Sequence, residues 1–433
     1  MPRHGHILRT PLNCSPEAAR AWLIRPDAQP RLVPPWVRSP KRPGLAIGLP
    51  SPLAPSALPC ESWPRHQFLA RVESSAVSGC NIEESVEYDL PWGWAGKIAC
   101  MKPAACEFAR LLAYRSRIIS GDLAFWSRYP GPARRFAISG ASGFVGSALL
   151  TFLRAAGHEV LPLVRRPANP GEISWDPEAG KMDAAALEGL DAVIHLAGES
   201  VAAGRWTARR KERIRASRVL GTRLIAATLA RLRRPPRAFV SASAVGYYGS
   251  RGDEILHEES PPGSDFLAEV CKAWEDEART AERVGIRVCR VRIPMVLSQA
   301  GGALAKMLPP FRMGLGGKLG SGQSWVSWIA LDDLLDILTA AALDERLSGP
   351  VNAMAPAPCS NAELTATLAR VLRRPAVFPV PTAFLKVALG EFADAVLASQ
   401  RGVPSALQKL DWSFRFPALE SALRHTLGSE PRD

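Results

Sequence analysis

The chain has 433 residues, of which 47% are hydrophobic and 22% charged, and its formal net charge is +13. This is ordinary globular composition, with material for two or three domains and a substantial core. No run reaches the roughly 18 uncharged apolar residues of a membrane span. The arginines form no dense basic run interleaved with aromatics, so neither a membrane partner nor nucleic acid is expected.

The first residues, MPRHGHILRTPLN, lack the apolar core of a signal peptide. The eight cysteines, scattered from Cys14 to Cys359, form no CxxC pair, and no histidine stands at metal-ligand spacing. Free thiols in apolar stretches behave as small hydrophobes and suit a reducing, cytoplasmic setting. Prolines are dense between Pro26 and Pro64, which blocks regular structure, and 38–66 reads as a linker. Order is expected again over 88–128, where YDLPWGW leads into CEFARLLAYRSRII.

From Arg134 onward strands and helices alternate. RRFAIS is a short apolar strand, followed by a glycine-rich turn and the helix SALLTFLRAAG, which Gly157 closes. HEVLPLV and DAVIHLAG are the second and third strands, WTARRKERIRASRVLGTRLIAATLARL a long helix, and RAFVSAS another strand. The cluster Arg231, Arg233, Arg234 and Arg237 lies at the end of that helix and in the loop after it, where cations are favoured. SDFLAEVCKAWEDEARTAERVG is amphipathic, with Leu267, Val270, Cys271, Trp274, Ala278 and Ala281 on one face, and IRVCRVRI is the next strand. This alternation predicts an α/β protein. A Rossmann doubly wound parallel sheet spans 134–293, a smaller C-terminal α/β substrate-side domain spans 294–430, and an irregular N-terminal extension spans 1–130. In the C-terminal part Ser360 and Glu363 form a capping box.

The segment FAISGASGFVGSALL holds Gly140, Gly143 and Gly146 between a strand and a helix, the context a dinucleotide-binding turn requires. Gly140 permits the tight turn, Gly143 the approach of backbone to a pyrophosphate, and Gly146 close helix–strand packing. With Ser142, Phe144 and Val145 at the helix start, free N–H groups face the phosphates. The second strand ends in Arg165 and Arg166 with no carboxylate, which suits a 2′-phosphate and hence NADP over NAD.

Residues 134–428 resemble the extended short-chain dehydrogenase/reductase superfamily. More narrowly, they resemble its atypical sugar-nucleotide-epimerase-like branch, the NAD-dependent epimerase/dehydratase family. The resemblance is carried by GASGFVG at 140–146, DAVIHLAGES at 191–200, RWTARRKERIRASRVLGT at 205–222 and SASAVGYYG at 241–249. It continues through DFLAEVCKAWE at 265–275, GLGGKLGSG at 314–322, SWIALDDL at 327–334 and LASQRGVPSAL at 397–407. It implies that Leu196, Ala197 and Gly198 line the cofactor and that Ser241 and Ser243 lie near the nicotinamide; if the chain is an enzyme, 314–322 and Trp325 would face a small-molecule substrate. At the N-terminus RPDAQPRLVPPW and FARLLAYRSRIISGDLAFWSRY resemble the two ends of a cyclase/dehydrase-like helix-grip domain, with no strands evident between them.

The superfamily works with a Tyr-x-x-x-Lys pair, the lysine lowering the pKa of a tyrosine that acts as acid or base. Here Lys272 would pair with Ala268; if Glu275 anchors the register, the two positions are Leu267 and Cys271. Neither register supplies a tyrosine. Tyr247 and Tyr248 are the phenols nearest Ser243 in sequence, and these three are the candidate catalytic residues. Against the branch's own pattern, Ala330, Ser324, Pro294 and the pair Asp411–Trp412 stand where His, Gln, Gly and Gly-Phe are usual. Two functions fit. One is an NADP-preferring epimerase/dehydratase-like oxidoreductase acting on a nucleotide-sugar-like or other polar substrate. The other is a non-catalytic NADP-binding regulatory or scaffold protein.

Overall fold

The computed structural model describes residues 4–37, 66–74, 79–88 and 93–429. Of the linker expected over 38–66, all but residue 66 lies outside the described residues. Packing divides the chain into two compact units. The first takes the described residues of Met1–Pro132 with Thr151–Gly157 and the residues from Leu427 on; the second is Ala133–Leu150 with His158–Thr426.

In the first unit β1 (His4–Leu12) is followed by the short helices α1 (Pro16–Leu23) and α2 (Ala28–Arg31), then β2 (His66–Ser74), β3 (Cys80–Tyr88) and the long helix α3 (Gly93–Trp126). The strands form an antiparallel sheet in the order β1-β3-β2. So two strands occupy the interval that seemed empty in the sequence. The signal was period two: Cys80, Ile82, Glu84 and Val86 alternate inward along β3. Glu84 breaks the apolar pattern because Arg115 on α3 pairs with it, Nη2 to Oε1 at 2.7 Å. A second buried pair joins Arg31 of α2 to Asp122 of α3, with both hydrogen bonds at 2.9 Å.

The second unit is built on β4 (Arg135–Ser139), the first half of α4 (Phe144–Ala155, divided at Thr151), β5 (Glu159–Val164), β6 (Ile173–Asp176), β7 (Lys181–Met182), β8 (Ala192–His195), α5 (Ala208–Leu229), β9 (Ala238–Ala244), β10 (Ile255–Leu256), α6 (Phe266–Arg279) and β11 (Arg287–Ile293). The C-terminal stretch adds β12 (Met295–Leu297), α7 (Gly302–Arg312), β13 (Trp325–Val326), β14 (Trp328–Ala330), α8 (Leu331–Leu343), β15 (Gly349–Asn352), β16 (Cys359–Ser360), α9 (Asn361–Leu372), α10 (Thr382–Leu389), α11 (Phe392–Leu397), β17 (Arg401–Gly402), α12 (Ser405–Gln408) and α13 (Leu419–Leu427). Eight strands form one sheet in the order β15-β11-β9-β8-β4-β5-β6-β7. Every neighbouring pair is parallel except β6 with β7. This is the doubly wound α/β architecture expected, in a mixed α/β chain.

The chain moves from β4 outward through β5 to β7, then returns to the other side of β4 through β8. That reversal opens a crevice at the carboxyl ends of β4 and β8. Gly157 caps α4 at φ 90°, and Ser360 opens α9 by accepting from the Glu363 N–H at 3.1 Å. No helix among the described residues is long and apolar enough to cross a membrane.

Candidate cofactor and active site

The turn between β4 and α4 is shaped by contacts that only glycine permits. Gly140 has φ 73°, and a Cβ there would stand 2.8 Å from the Ala197 nitrogen. A Cβ on Gly146 would stand 2.1 Å from the Gly140 oxygen. So the turn presses on the end of β8 and the first turn of α4 presses on the glycine turn. Ser142 and Gly143 remain exposed at the start of the helix, where the first N–H groups have no intrahelical acceptor. Phe144 turns the other way, against Gly301 and Gly302; a Cβ on Gly301 would stand 2.7 Å from the Phe144 ring. Val145 is partly buried behind it.

Beneath this turn, Ser139 and His195 end the two central strands. Their Oγ and Nδ1 lie 2.5 Å apart, and Ser139 Oγ accepts from the Leu196 and Ala197 N–H groups at 3.1 and 3.3 Å. Burial and the charge of Arg218 push the His195 pKa down to about 3. The imidazole is therefore neutral and fixes backbone. Leu196 and Ala197 are partly buried and Gly198 is exposed at the crevice. Sequence reasoning singled out this turn but missed the Ser–His pair that holds it.

The two arginines after β5 separate. Arg166 grips Glu172 with both terminal nitrogens, at 2.6 and 2.7 Å. Folding thus brings a carboxylate to the strand end that the local sequence lacks. Arg165 is exposed and has no ion pair or side-chain hydrogen bond among the described residues.

The catalytic candidates also separate. Ser241 is buried in the sheet, its Oγ 3.3 Å from the Ala242 oxygen. Ser243 is buried and donates to Glu275 Oε1 at 2.7 Å. Tyr248 is fully buried; its hydroxyl donates to Asn352 Oδ1 at 2.6 Å and accepts from Arg292 at 2.8 Å. Burial raises its pKa to about 12. Arg292 in turn holds both oxygens of Glu275, at 2.8 and 3.0 Å, and donates to the Glu258 carbonyl. Glu258 accepts from the Asn352 N–H at 3.1 Å. The protons of Ser243 and Tyr248 are directed to protein partners, Glu275 and Asn352. Tyr247 is partly exposed, with Arg292 Cζ 3.5 Å from its ring centroid.

The structure also decides the register of α6. Glu275 meets Ser243, and a Cβ on Gly246 would stand 3.2 Å from Leu267 Cβ and 3.9 Å from Cys271 Sγ. Leu267, Cys271 and Glu275 are the face turned to β9 and the turn after it. Cys271 is buried, with its pKa pushed up to about 12, so it stays a neutral thiol. Lys272 points away and pairs with Asp276 at 2.7 Å.

Other anticipated positions have packing roles. A Cβ on Gly317 would fall 1.7 Å from the Phe378 oxygen, so glycine in 314–322 admits a neighbouring backbone. Trp325 donates to Asp253 at 2.7 Å and lies under Arg401. Ala330 and Pro294 are buried, and Ser324 Oγ bonds the Leu397 carbonyl. Asp411 takes φ 50°, a conformation that favours glycine. An open depression of about 560 Å³, lined by Met182, Glu188, Leu224, Arg231 and Arg234 among others, lies at the far end of α5 and is not the crevice.

A family model described as the NAD dependent epimerase/dehydratase family matches residues 136–353, and one described as a domain of unknown function matches 380–426. An epimerase family protein of Mycobacterium tuberculosis is 43% identical over 289 residues, covering 66% of this chain and 95% of that protein. The human epimerase family protein SDR39U1 is 36% identical over 294 residues, 67% of this chain and 98% of its own. Two solved structures are similar. The nucleoside-diphosphate sugar epimerase from Corynebacterium glutamicum has a TM-score of 0.78 at 34% identity, covering 98% of this chain and 90% of that one. Human SDR39U1 (isoform 2) with NADPH has a TM-score of 0.62 at 34% identity, covering 67% and 98%.

Proposed function

Because the chain belongs to the NAD-dependent epimerase/dehydratase family, we propose that it is an NADP(H)-binding, epimerase/dehydratase-like oxidoreductase for a small polar substrate of nucleotide-sugar type. The observation that carries this reading is the glycine turn. Gly140 and Gly146 bring β8, the turn and α4 together so that side-chain-free backbone and a helix N-terminus border the crevice. Arg165, left without a partner beyond β5, fits a 2′-phosphate, whereas Arg166 is held by Glu172. The NADPH in the human relative's structure and the nucleoside-diphosphate sugar named for the Corynebacterium relative support the same reading.

Bound NADP(H) supplies the hydride chemistry. Among the chain's own groups, Tyr247 is the phenol left to exchange a proton with a substrate oxygen. It lies within electrostatic reach of Lys272, whose pKa is raised first by Asp276 and then by Tyr247. The second reading, cofactor binding without turnover, draws on Leu267 and Cys271 at the family's tyrosine and lysine positions.

Calorimetry with the full chain tests the cofactor: NADPH binds more tightly than NADH, and Arg165→Ala weakens NADPH roughly 10- to 100-fold. Equal affinities in the wild type overturn the preference. Incubating the NADPH complex with nucleotide sugars and simple carbonyl compounds tests turnover. Oxidation that falls on the order of 10²-fold or more in Tyr247→Phe, with NADPH affinity kept, supports the phenol. Bound NADPH that no substrate oxidises favours the second reading.

A further inference from the structure

Arg218, on α5, forms no salt bridge among the described residues, although the Glu199 carboxylate is close enough to act on its charge. Its Nη1 donates to two neutral carbonyls, Glu199 and Ile214, each at 3.0 Å. The Glu199 carboxylate turns instead to Arg210 at 3.7 Å and Arg213 at 3.9 Å. Among the described residues no carboxylate pairs with Arg218, and its Nε and Nη2 have no hydrogen-bond partner. Its other neighbours carry no charge: Trp274, whose ring centroid is 5.2 Å from Cζ, the neutral His195 and the protonated Cys271. Burial lowers the pKa of Arg218 but does not discharge a guanidinium. Arg218 is only partly buried, and Nε and Nη2 are not sealed from solvent, so a ligand's acceptors can reach both free donors.

Position says which ligand. The guanidinium lies against Gly198, where a Cβ would stand 3.2 Å from Cζ and 3.3 Å from Nη2. Gly198 ends the turn after β8, and Cys271 and Trp274 are on α6, so Arg218 lies on the β8–β9 side of the strand reversal. Arg165 lies on the other side, after β5. A dinucleotide spanning the reversal places one nucleotide on each side. With the 2′-phosphate nucleotide toward Arg165, the other half falls to Arg218.

We infer that Arg218 is a cofactor-binding residue whose free Nε and Nη2 contact the nicotinamide mononucleotide half of NADP(H), where phosphate and ribose oxygens are acceptors. It supplies, from α5, the cation that Cys271 leaves out of the α6 register. This rests on the cofactor reading above.

The test titrates the full-length protein with two probes, NADPH and adenosine 2′,5′-bisphosphate, which carries the 2′-phosphate half alone. Arg218→Gln weakens NADPH about tenfold or more, the worth of one charge-assisted hydrogen bond, and leaves the bisphosphate affinity unchanged. Arg218→Lys, which keeps the charge and loses the fork, falls between wild type and Arg218→Gln for NADPH. Loss of both probes together, in a variant that melts normally or not, overturns the inference, as does unchanged NADPH affinity. A wild type that binds neither probe overturns the cofactor reading and the inference with it.

Discussion

Arg292 and Arg218 are arginines of the same unit on opposite terms with their surroundings. At the end of β11, Arg292 is saturated: Glu275 takes two nitrogens, and Tyr248 and the Glu258 carbonyl take the third. At the crevice wall, Arg218 spends one nitrogen on two carbonyls and keeps the rest. Arg292 is buried with its donors all taken by protein, whereas Arg218 is partly buried and keeps donors without a protein partner. Residue type alone does not separate the two, because both are arginines beside glycine-bearing turns and both sit over aromatic rings.

The sharpest way to break this contrast is to turn Arg292 into a cation like Arg218. Glu275→Ala strands a buried guanidinium and lowers unfolding stability by roughly 3–5 kcal/mol, read from denaturant melts. Arg218→Gln in the same experiment leaves stability unchanged or raises it. Equal losses for both variants erase the distinction.

Asp333 on α8 offers a negative counterpart. It accepts from the Arg415 and Phe416 N–H groups at 2.6 and 3.1 Å, but the Arg415 guanidinium goes to Asp336 at 2.6 and 2.7 Å. Burial first, then the Asp336 charge, push the Asp333 pKa up to about 7. A carboxyl whose folded pKa lies above its unfolded value holds its proton in the native state. Its contribution is present at low pH and is lost as pH rises from about 4 toward about 7. Relative to wild type, Asp333→Asn therefore gains ground as pH climbs through that window. Parallel stability profiles for the two proteins count against a protonated Asp333.

A smaller effect separates the neighbouring phenols. Tyr248→Phe removes a hydroxyl between Arg292 and Asn352 and costs about 1–3 kcal/mol of stability; Tyr247→Phe does not. Smallest is Asp411→Gly, which relieves a left-handed backbone and raises stability by up to about 1 kcal/mol. A fall in melting temperature for that variant means the Asp411 side chain holds the turn.

Five strands of the central sheet were legible because each is a short apolar run between turn residues; the observed bounds of β4, β5, β9 and β11 fall within a residue of the expected ones, and β8 ends three residues earlier, at His195. β2 and β3 were not, because prolines dominate the stretch before them and Glu84, paired with Arg115 from a distant helix, interrupts the apolar alternation. The glycine turn was readable since its residues are contiguous. The Ser243–Glu275–Arg292–Tyr248–Asn352 network was not, because its members are spread over more than a hundred residues and nothing local announces which pairs meet. One signal was available: two arginines at alternate positions of a buried strand, RVRI, demand partners. Arg165 and Arg166 looked equivalent in sequence; Glu172, a few residues on, makes them different.

The last strand to join the central sheet has a consequence in time. β15 pairs with β11 in parallel, and its end residue Asn352 receives the Tyr248 proton. A nascent chain that has only reached residue 293 holds an open, arginine-bearing edge and a tyrosine without its acceptor. The sheet can close only after some sixty further residues have left the ribosome. Until then β11 is a bare template for stray pairing, and long-range closure of this kind makes folding slow.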